Sequence, residues 1–416
     1  MKNETVEVLV IGAGPSGCVA ASYLHNNGVK VKVVEKSQFP RFVIGESLLP
    51  RCMDHFKEAD LLDCLIAGQF EKKRGARFLR KDDLCTFDFS KKHTPGWDWT
   101  WQVPRADFDV AITNELQRRG VAIAFEQEVT DVQFATDGTS VTTIQDKAGN
   151  SSSIQAGFII DGSGAGRVLP KLLDLCLPSD MPKNASIFTH VQDINRPEGE
   201  EGTLITFDVV RKDTWFWVIP FSNGTTSIGF VGPVDYLASF EGDASSKMEQ
   251  MLELSDYYYD RFKGVPFSFA PKEVKNYASA VSQLYGKGYA LSGNSASFLD
   301  PVFSSGVAFA LESGITAARL ALKELQGEKV NWQEEYADYI LDGVEVFSSY
   351  VKEWYTGNLQ KIFFHQPENP EIKKQICAVL AGYVWDKTNP FVKNHHRIIK
   401  TIAHIVDLEQ EQAQSR

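Results

Sequence analysis

Three glycines, Gly12, Gly14 and Gly17, stand in a G-x-G-x-x-G frame, and Glu35 follows roughly twenty residues on. That spacing suits a dinucleotide. The first two glycines let the backbone turn tightly and approach a pyrophosphate, the third permits close helix–strand packing, and the helix that follows offers unpaired N–H groups to the anion. Pro15 and Ser16 open that helix, Glu35 can accept hydrogen bonds from the ribose hydroxyls of an adenosine, and Lys36 follows it. A Gly-rich turn in an unrelated βαβ protein is the bland alternative.

The elements around the turn oppose that alternative. Val6 to Ile11 is a near-continuous apolar run with β-branched residues, the pattern of a parallel strand buried on both faces. Ser16 to Asn27 has helical apolar spacing, Gly28 ends it, and Val29 to Glu35 returns as a second strand, which completes a βαβ unit. Further on, Asp107 to Arg119 predicts a helix closed by Gly120, followed by alternating strands from Val121 through Ile144 with a turn at Asp137 and Gly138. Phe158 to Asp161 predicts another strand. Residues 181 to 275 are strand-rich and aromatic, a strand is expected at Tyr289 to Ser292, a helix begins near Ser305, and 331 to 416 reads as helical.

Other segments carry candidate chemistry. DGSGAG (Asp161 to Gly166) and GNSASFLDP (Gly293 to Pro301) each follow an expected strand, Arg105 in VPRADFD precedes a helix, and FPRFVIGESLLP runs from Phe39 to Pro50. WFWVIP begins at Trp215, KRGARF contains Lys73, and DPVFSSG spans Asp300 to Gly306. Read from residue types alone, Trp215 and Trp217 could be core side chains of a half-buried strand, Lys73 could be solvated, Arg105 could be a surface charge, and SSG could merely start a helix.

Taken together, these segments resemble those of FAD enzymes related to the aromatic hydroxylases, and FPRFVIGESLLP resembles the flavin-dependent halogenases and the geranylgeranyl reductases. Three features lean toward the halogenases over nearly the whole chain. WFWVIP matches their W-x-W-x-I-P, Lys73 stands where their active-site lysine lies, and DPVFSSG is similar to their chloride-binding segment. Phe303 replaces the acidic residue that tryptophan halogenases carry there, so the resemblance is to the phenol and pyrrole branch. Asn294 stands where the wider superfamily has Asp.

The resemblance implies an α/β protein with a Rossmann-type FAD-binding fold, an antiparallel β substrate layer and a C-terminal α-helical extension. The expected division is 1–180 and 276–330 for the FAD body, 181–275 for the substrate layer with a contribution from 71–102, and 331–416 for the extension. Besides the glycine turn, Glu35 and Lys36, cofactor contacts are expected from Arg41, Gly45, Glu46, Ser47 and Arg105. The later motifs add Val129, Asp161, Gly293, Asn294, Asp300, Pro301, Gly306 and Val307. Chloride or bromide would sit on the N–H groups of Ser305 and Gly306, where a helix N-terminus supplies partial positive charge. Reduced FAD and oxygen would turn halide into hypohalous acid, and Lys73 would bind it or carry the halogen as a chloramine if burial lowers its pKa. Trp215 and Trp217 would separate flavin from substrate.

Trp97, Trp99 and Trp101 are expected on one face of a strand, lining an apolar pocket, with Tyr350, Trp354 and Tyr355 available to close it. The substrate class is a small aromatic or conjugated molecule, free or carrier-tethered. Only one dinucleotide fingerprint is present, so a separate flavin reductase or transient NAD(P)H would supply electrons. Three other readings stay open: a geranylgeranyl reductase-like dehydrogenase, a flavin monooxygenase, and a non-catalytic flavin-binding redox sensor.

Composition excludes other classes. Lys and Arg number 43 against 54 Asp and Glu, a net charge of −11 with no basic block, which opposes nucleic-acid binding. No apolar run reaches membrane-spanning length, and the first residues run directly into a strand, so a cytoplasmic protein is expected. Six scattered cysteines without a C-x-x-C pair, and a His395–His396 pair without ligand spacing around it, lead to an expectation of no disulfide framework and no metal.

Overall fold

The computed structural model describes residues 3–365 and 369–414. Its first sheet is built on the strand Asn3–Ile11, which pairs in parallel with Val31–Val34 on one side and Ser151–Asp161 on the other. Val31–Val34 continues in parallel to Ala122–Ala124, and Ser151–Asp161 to Tyr289–Leu291. Antiparallel strands Gln127–Phe134 and Ser140–Asp146 extend from Ser151–Asp161. Because these parallel strands share a direction, their C-terminal ends fall on one edge, and there the chain enters the Gly12 turn, Glu35, the DGSG turn and the Gly293 turn. That edge is where open α/β sheets bind ligands.

The helices Pro15–Asn26 and Ser305–Leu325 cover this sheet and touch closely. A Cβ at Gly314 would lie 2.6 Å from the Ser16 carbonyl oxygen, and Ser16 Oγ donates to Ser292 Oγ at 2.7 Å. Both contacts require small residues.

The second sheet has seven strands, in the order Lys272–Lys275, Asn184–Gln192, Thr225–Pro233, Thr214–Pro220, Thr206–Arg211, Gly75–Arg80 and Asp83–Asp88. All its pairings are antiparallel except that of Thr206–Asp208 with Arg77–Leu79. Period-two alternation divides its side chains. Phe78, Phe188, Phe207, Trp215 and Trp217 face the body, whereas Leu79, Ile187, Phe216, Val218 and Phe230 face a separate core with Met248, Met251 and Phe262.

Segment 71–102 is split. Residues 75–88 join the large sheet, but Glu71–Lys73 pairs with Thr100–Gln102 in a separate ribbon. Only Thr100–Gln102 is strand, so the expected strand through Trp97 and Trp99 is corrected: the three indoles form an edge-to-face ladder with centroids 5.7 and 5.2 Å apart.

The extension is helical at Tyr339–Thr356, Asn358–His365, Pro370–Leu380 and His395–Gln414. A buried carboxylate fastens it. Glu312 accepts from Arg51 (3.0 and 3.2 Å), His55 (2.9 Å) and Tyr339 of the extension (2.8 Å). Burial alone would raise its pKa, yet the hydrogen bond and charge of His55, with Arg51, hold it well below the usual carboxylate range.

Candidate active site

The glycine turn assigns different tasks to its three glycines. A Cβ at Gly12 would lie 2.5 Å from the Gly162 carbonyl oxygen and one at Gly17 2.0 Å from that of Gly12, so the chain's own packing requires both. Gly14 is different. A Cβ there meets only Arg41 Nη2, at 3.8 Å, and Gly14 caps the Pro15–Asn26 helix without a side-chain hydrogen bond. The space above Gly14, bounded by a cation and fed by helix N–H groups, fits a pyrophosphate. Arg41 Nη1 pairs with Asp109 Oδ2 at 3.3 Å without the alignment of a hydrogen bond, and Nη2 is the nitrogen that faces Gly14. Glu35, at the end of its strand, accepts from the N–H groups of Ala13 and Ser37, both at 2.9 Å, which fixes it beside the turn, while Lys36 is exposed.

Arg105, the arginine expected to reach the cofactor, is spent on the chain itself. It binds Asp109 through two nitrogens (2.9 and 3.1 Å) and the carbonyls of Ile44 and Gly45 through the third (3.1 and 3.3 Å). It braces the 44–47 segment. Asp161 is likewise turned inward, accepting from Ser163 N–H and Leu169 N–H to close its own turn. Val129 is a buried core residue at a bulge in its strand. Gly293 N–H donates to Ser313 Oγ at 2.8 Å, and Asn294 follows it, half-buried.

The 46–48 segment runs beside the Thr100–Gln102 strand, with Val103 N–H donating to Glu46 O and Leu48 N–H to Trp101 O. This brings Ser47 to Lys73. Lys73 is 2 % exposed and donates from Nζ to Ser47 Oγ and to Leu48 O, both at 2.8 Å. Burial lowers its pKa to about 7. Lys72, on the same strand, is exposed and lies over the Trp99 ring. An open cavity of about 660 Å³, lined in part by Glu71, Lys72, Arg74 and Glu200, borders this strand.

Ser47 Oγ is also 3.2 Å from Ser304 Oγ. Ser304 is left-handed (φ 56°), and the long helix begins at the next residue, so Lys73 is joined through two hydroxyls to the start of the helix that carries Ser305, Gly306 and Val307. Asp300 and Pro301 shape this approach. The Asp300 carboxylate, 3 % exposed, accepts from Val302 N–H, Asn184, Tyr277 and Tyr355, so its oxygens are committed within the protein.

Trp215 and Trp217 are buried on the body-facing side of the sheet, 6.0 Å apart between centroids. Trp215 Nε1 donates to Tyr355 Oη and Trp217 Nε1 to Ser227 Oγ, both at 3.1 Å. Tyr350 and Trp354 pack on Phe303, at 6.1 and 5.8 Å between centroids, which places them at the anion turn and away from the expected Trp97–Trp101 pocket.

Sequence reasoning missed His190, Asn184 and Tyr277 here, and gave Glu46 and Tyr355 other roles, at the cofactor and at the tryptophan pocket. Glu46 Oε1 lies 2.6 Å from His190 Nε2, within a ring of Phe42, Phe221 and Phe269, and its buried Oε2 has no partner. Asn184, Tyr277 and Tyr355 come from three distant segments. The strand period, which puts His190 on the same face as Phe188, was the one available signal. In the extension, His395 and His396 come within 4.8 Å of Glu345, a grouping their spacing did not suggest, and Ser349 Oγ bonds both imidazoles.

A glycine turn open only at Gly14, an acid at the second strand and the motifs gathered on one sheet edge define a flavoprotein of the FAD-dependent oxidoreductase class. Residues 5–251 match the FAD binding domain family, and the chain belongs to it. Over nearly its whole length the chain is similar to flavin-dependent halogenases. A brominase of pyrrole-2-carbonyl groups on a peptidyl-carrier protein, from Pseudoalteromonas luteoviolacea, is 25% identical over 92% of this chain and 93% of that protein. The corresponding chlorinase of Pseudomonas fluorescens is 24% identical over 92% of this chain and 91% of its own. A crystal structure of a flavoprotein/dehydrogenase from Cytophaga hutchinsonii superposes with a TM-score of 0.96, at 48% identity, over 98% of this chain and 100% of that one.

Proposed function

We propose that this protein is an FAD-dependent halogenase acting on an electron-rich aromatic ring of the phenol or pyrrole type, free or carrier-tethered. The observation that carries this reading is the buried Lys73 amine, joined through Ser47 and Ser304 to a helix N-terminus suited to a small anion. FAD, when bound and reduced, would supply the two electrons that take oxygen to the peroxide level, at which it can oxidise halide to hypohalous acid. The protein's own residues do the rest. Ser305 and Gly306 N–H groups hold the halide, Gly14, Arg41 and Glu35 hold the dinucleotide, and the Trp215 and Trp217 wall keeps the ring substrate apart from the flavin.

Lys73 suits its step in one protonation state. With a pKa of about 7, a large fraction is neutral near pH 7, and a neutral amine has two N–H bonds and one lone pair. Ser47 and Leu48 use both N–H bonds, which leaves the lone pair for hypohalous acid. The N–halogen bond forms as the O–halogen bond breaks, and the hydroxide released takes the amine proton to become water. The chloramine or bromamine then passes halogen to ring carbon, and the ring proton restores the amine. An always-protonated arginine has no such lone pair.

We place the FAD body in residues 1–180 and 276–330, the substrate layer in 181–275 with part of 71–102, and the extension in 331–416. No helix of the described residues is long and apolar enough to cross a membrane. We assign the protein to the cytoplasm, with FADH2 delivered by a separate reductase.

A hydride-transferring flavoprotein is the second reading, favoured by the description of the Cytophaga hutchinsonii structure. Oxidation of the reduced flavoprotein with and without bromide, followed by mass spectrometry of an added phenol or pyrrole, separates the two. Bromide-dependent brominated product is expected. Substrate reduction independent of halide would replace the halogenase reading with the second.

A further inference from the structure

The anion turn is held by a residue 55 positions further along the chain. Tyr355, in the extension helix Tyr339–Thr356, places its hydroxyl 3.1 and 3.0 Å from the two Asp300 carboxylate oxygens and accepts Trp215 Nε1–H at 3.1 Å. Asp300 in turn caps the Pro301–Phe303 turn through Val302 N–H at 3.1 Å, immediately before left-handed Ser304 and the helix start at Ser305. One hydroxyl therefore links the tryptophan strand, the turn and the extension.

We infer that Tyr355 is a positioning residue for halide, an inference that rests on the halogenase reading. The physical case has two parts. Packing alone would be served by phenylalanine, and burying a hydroxyl is costly unless its partners are all met, as they are here. In addition, Asp300 is a buried carboxylate whose hydrogen-bonding donors, Asn184, Tyr277, Tyr355 and Val302 N–H, are all neutral. Burial raises its pKa. A carboxylate so close in the chain to an anion site repels the anion unless donors disperse its charge and fix where it points. Loss of the Tyr355 hydroxyl loosens the cap and leaves more negative charge undispersed, and both effects weaken halide binding.

Two readouts test this: chloride NMR line broadening on the purified protein with and without FAD, and bromide KM and kcat in turnover. Tyr355→Phe should raise the bromide KM about tenfold and weaken chloride broadening in parallel, with FAD affinity and kcat at saturating bromide within about twofold of wild type. Tyr285→Phe is the control, since that hydroxyl donates to Gln333 Oε1 at 3.2 Å and bonds neither Asp300 nor Trp215; it should match wild type. A wild-type bromide KM in Tyr355→Phe overturns the inference, as does an equal fall in FAD affinity, kcat and thermal midpoint, which would mark general packing. Should Tyr355→Phe fail to fold, Trp215→Phe, which removes the N–H that Tyr355 accepts, should raise the bromide KM in the same direction, and no rise overturns the inference. A wild-type protein that neither broadens chloride nor depends on bromide overturns the parent reading as well, and no other outcome does.

Discussion

The dinucleotide end and the anion end of the site are built on opposite plans. At the first, a strand, a glycine turn, a helix and a second strand supply almost everything within residues 3–35, and two of the three glycines, Gly12 and Gly17, answer to backbone contacts. At the second, Lys73, Ser47, Ser304, Asp300, Asn184, Tyr277 and Tyr355 come from distant segments and meet only through side-chain hydrogen bonds. A site made of contiguous backbone tolerates little change but is simple to read. A site assembled at a distance can be retuned at single side chains.

The largest expected effect breaks the first end in two different ways. Gly17→Ala places a Cβ 2.0 Å from Gly12 O, between backbone atoms that cannot yield, and should cost at least about 3 kcal/mol, read as loss of soluble folded protein or a steep fall in denaturation midpoint. Gly14→Val should leave the apoprotein folded, because only the mobile end of Arg41 is near, yet raise the FAD Kd at least about a hundredfold by filling the pyrophosphate space. Equal damage from both substitutions would show that Gly14 serves the fold and not the cofactor.

A smaller, pH-dependent effect sharpens the second end. Lys73 titrates near 7 in the folded protein and near 10.4 when unfolded, so between those values the unfolded chain binds the extra proton and stability rises with pH, by about 1.4 kcal/mol per unit. Below about pH 7 both states are charged and the burial penalty stays constant. Lys73→Met should flatten that slope in denaturant melts taken between about pH 7 and 9. In wild type the halogen-transfer step should quicken as pH rises through about 7; a rate that falls over that interval would contradict the neutral-amine role.

The smallest effect belongs to the neighbouring lysine. Lys72 is exposed and lies 4.9 Å from the Trp99 ring centroid, so Lys72→Ala should move the thermal midpoint by about 2 °C or less and product yield by less than about twofold. A larger loss of product would shift the chemistry to the cavity side of the strand.

These contrasts also explain what could be read before the structure. The βαβ unit was legible because apolar runs, Gly28 and the G-x-G-x-x-G frame are local, and the Trp215–Trp217 face was legible because strand side chains alternate. Lys73 was selected by resemblance; its burial was not legible between exposed Lys72 and Arg74, because the Ser47 segment that covers it lies elsewhere in the chain. Arg105 looked free for the same reason: its partners Ile44 and Gly45 are 60 or more residues away, and it is Arg41, through Nη2, that stands beside Gly14. Trp97 and Trp99 fit a strand pattern, but Thr100–Gln102 is the only part paired, against Glu71–Lys73. Tyr355 was singled out only as a ring able to close the tryptophan pocket; its bond to Asp300 had no local signal, since it exists only once the extension has docked.

The most direct test of Lys73-dependent halogenation is a single turnover of FADH2-loaded protein with oxygen, bromide and an added pyrrole or phenol, in wild type and Lys73→Ala. The account predicts flavin reoxidation at similar rates in both, with brominated product in the wild type and none above background in the variant. Brominated product formed by Lys73→Ala at the wild-type rate would contradict it.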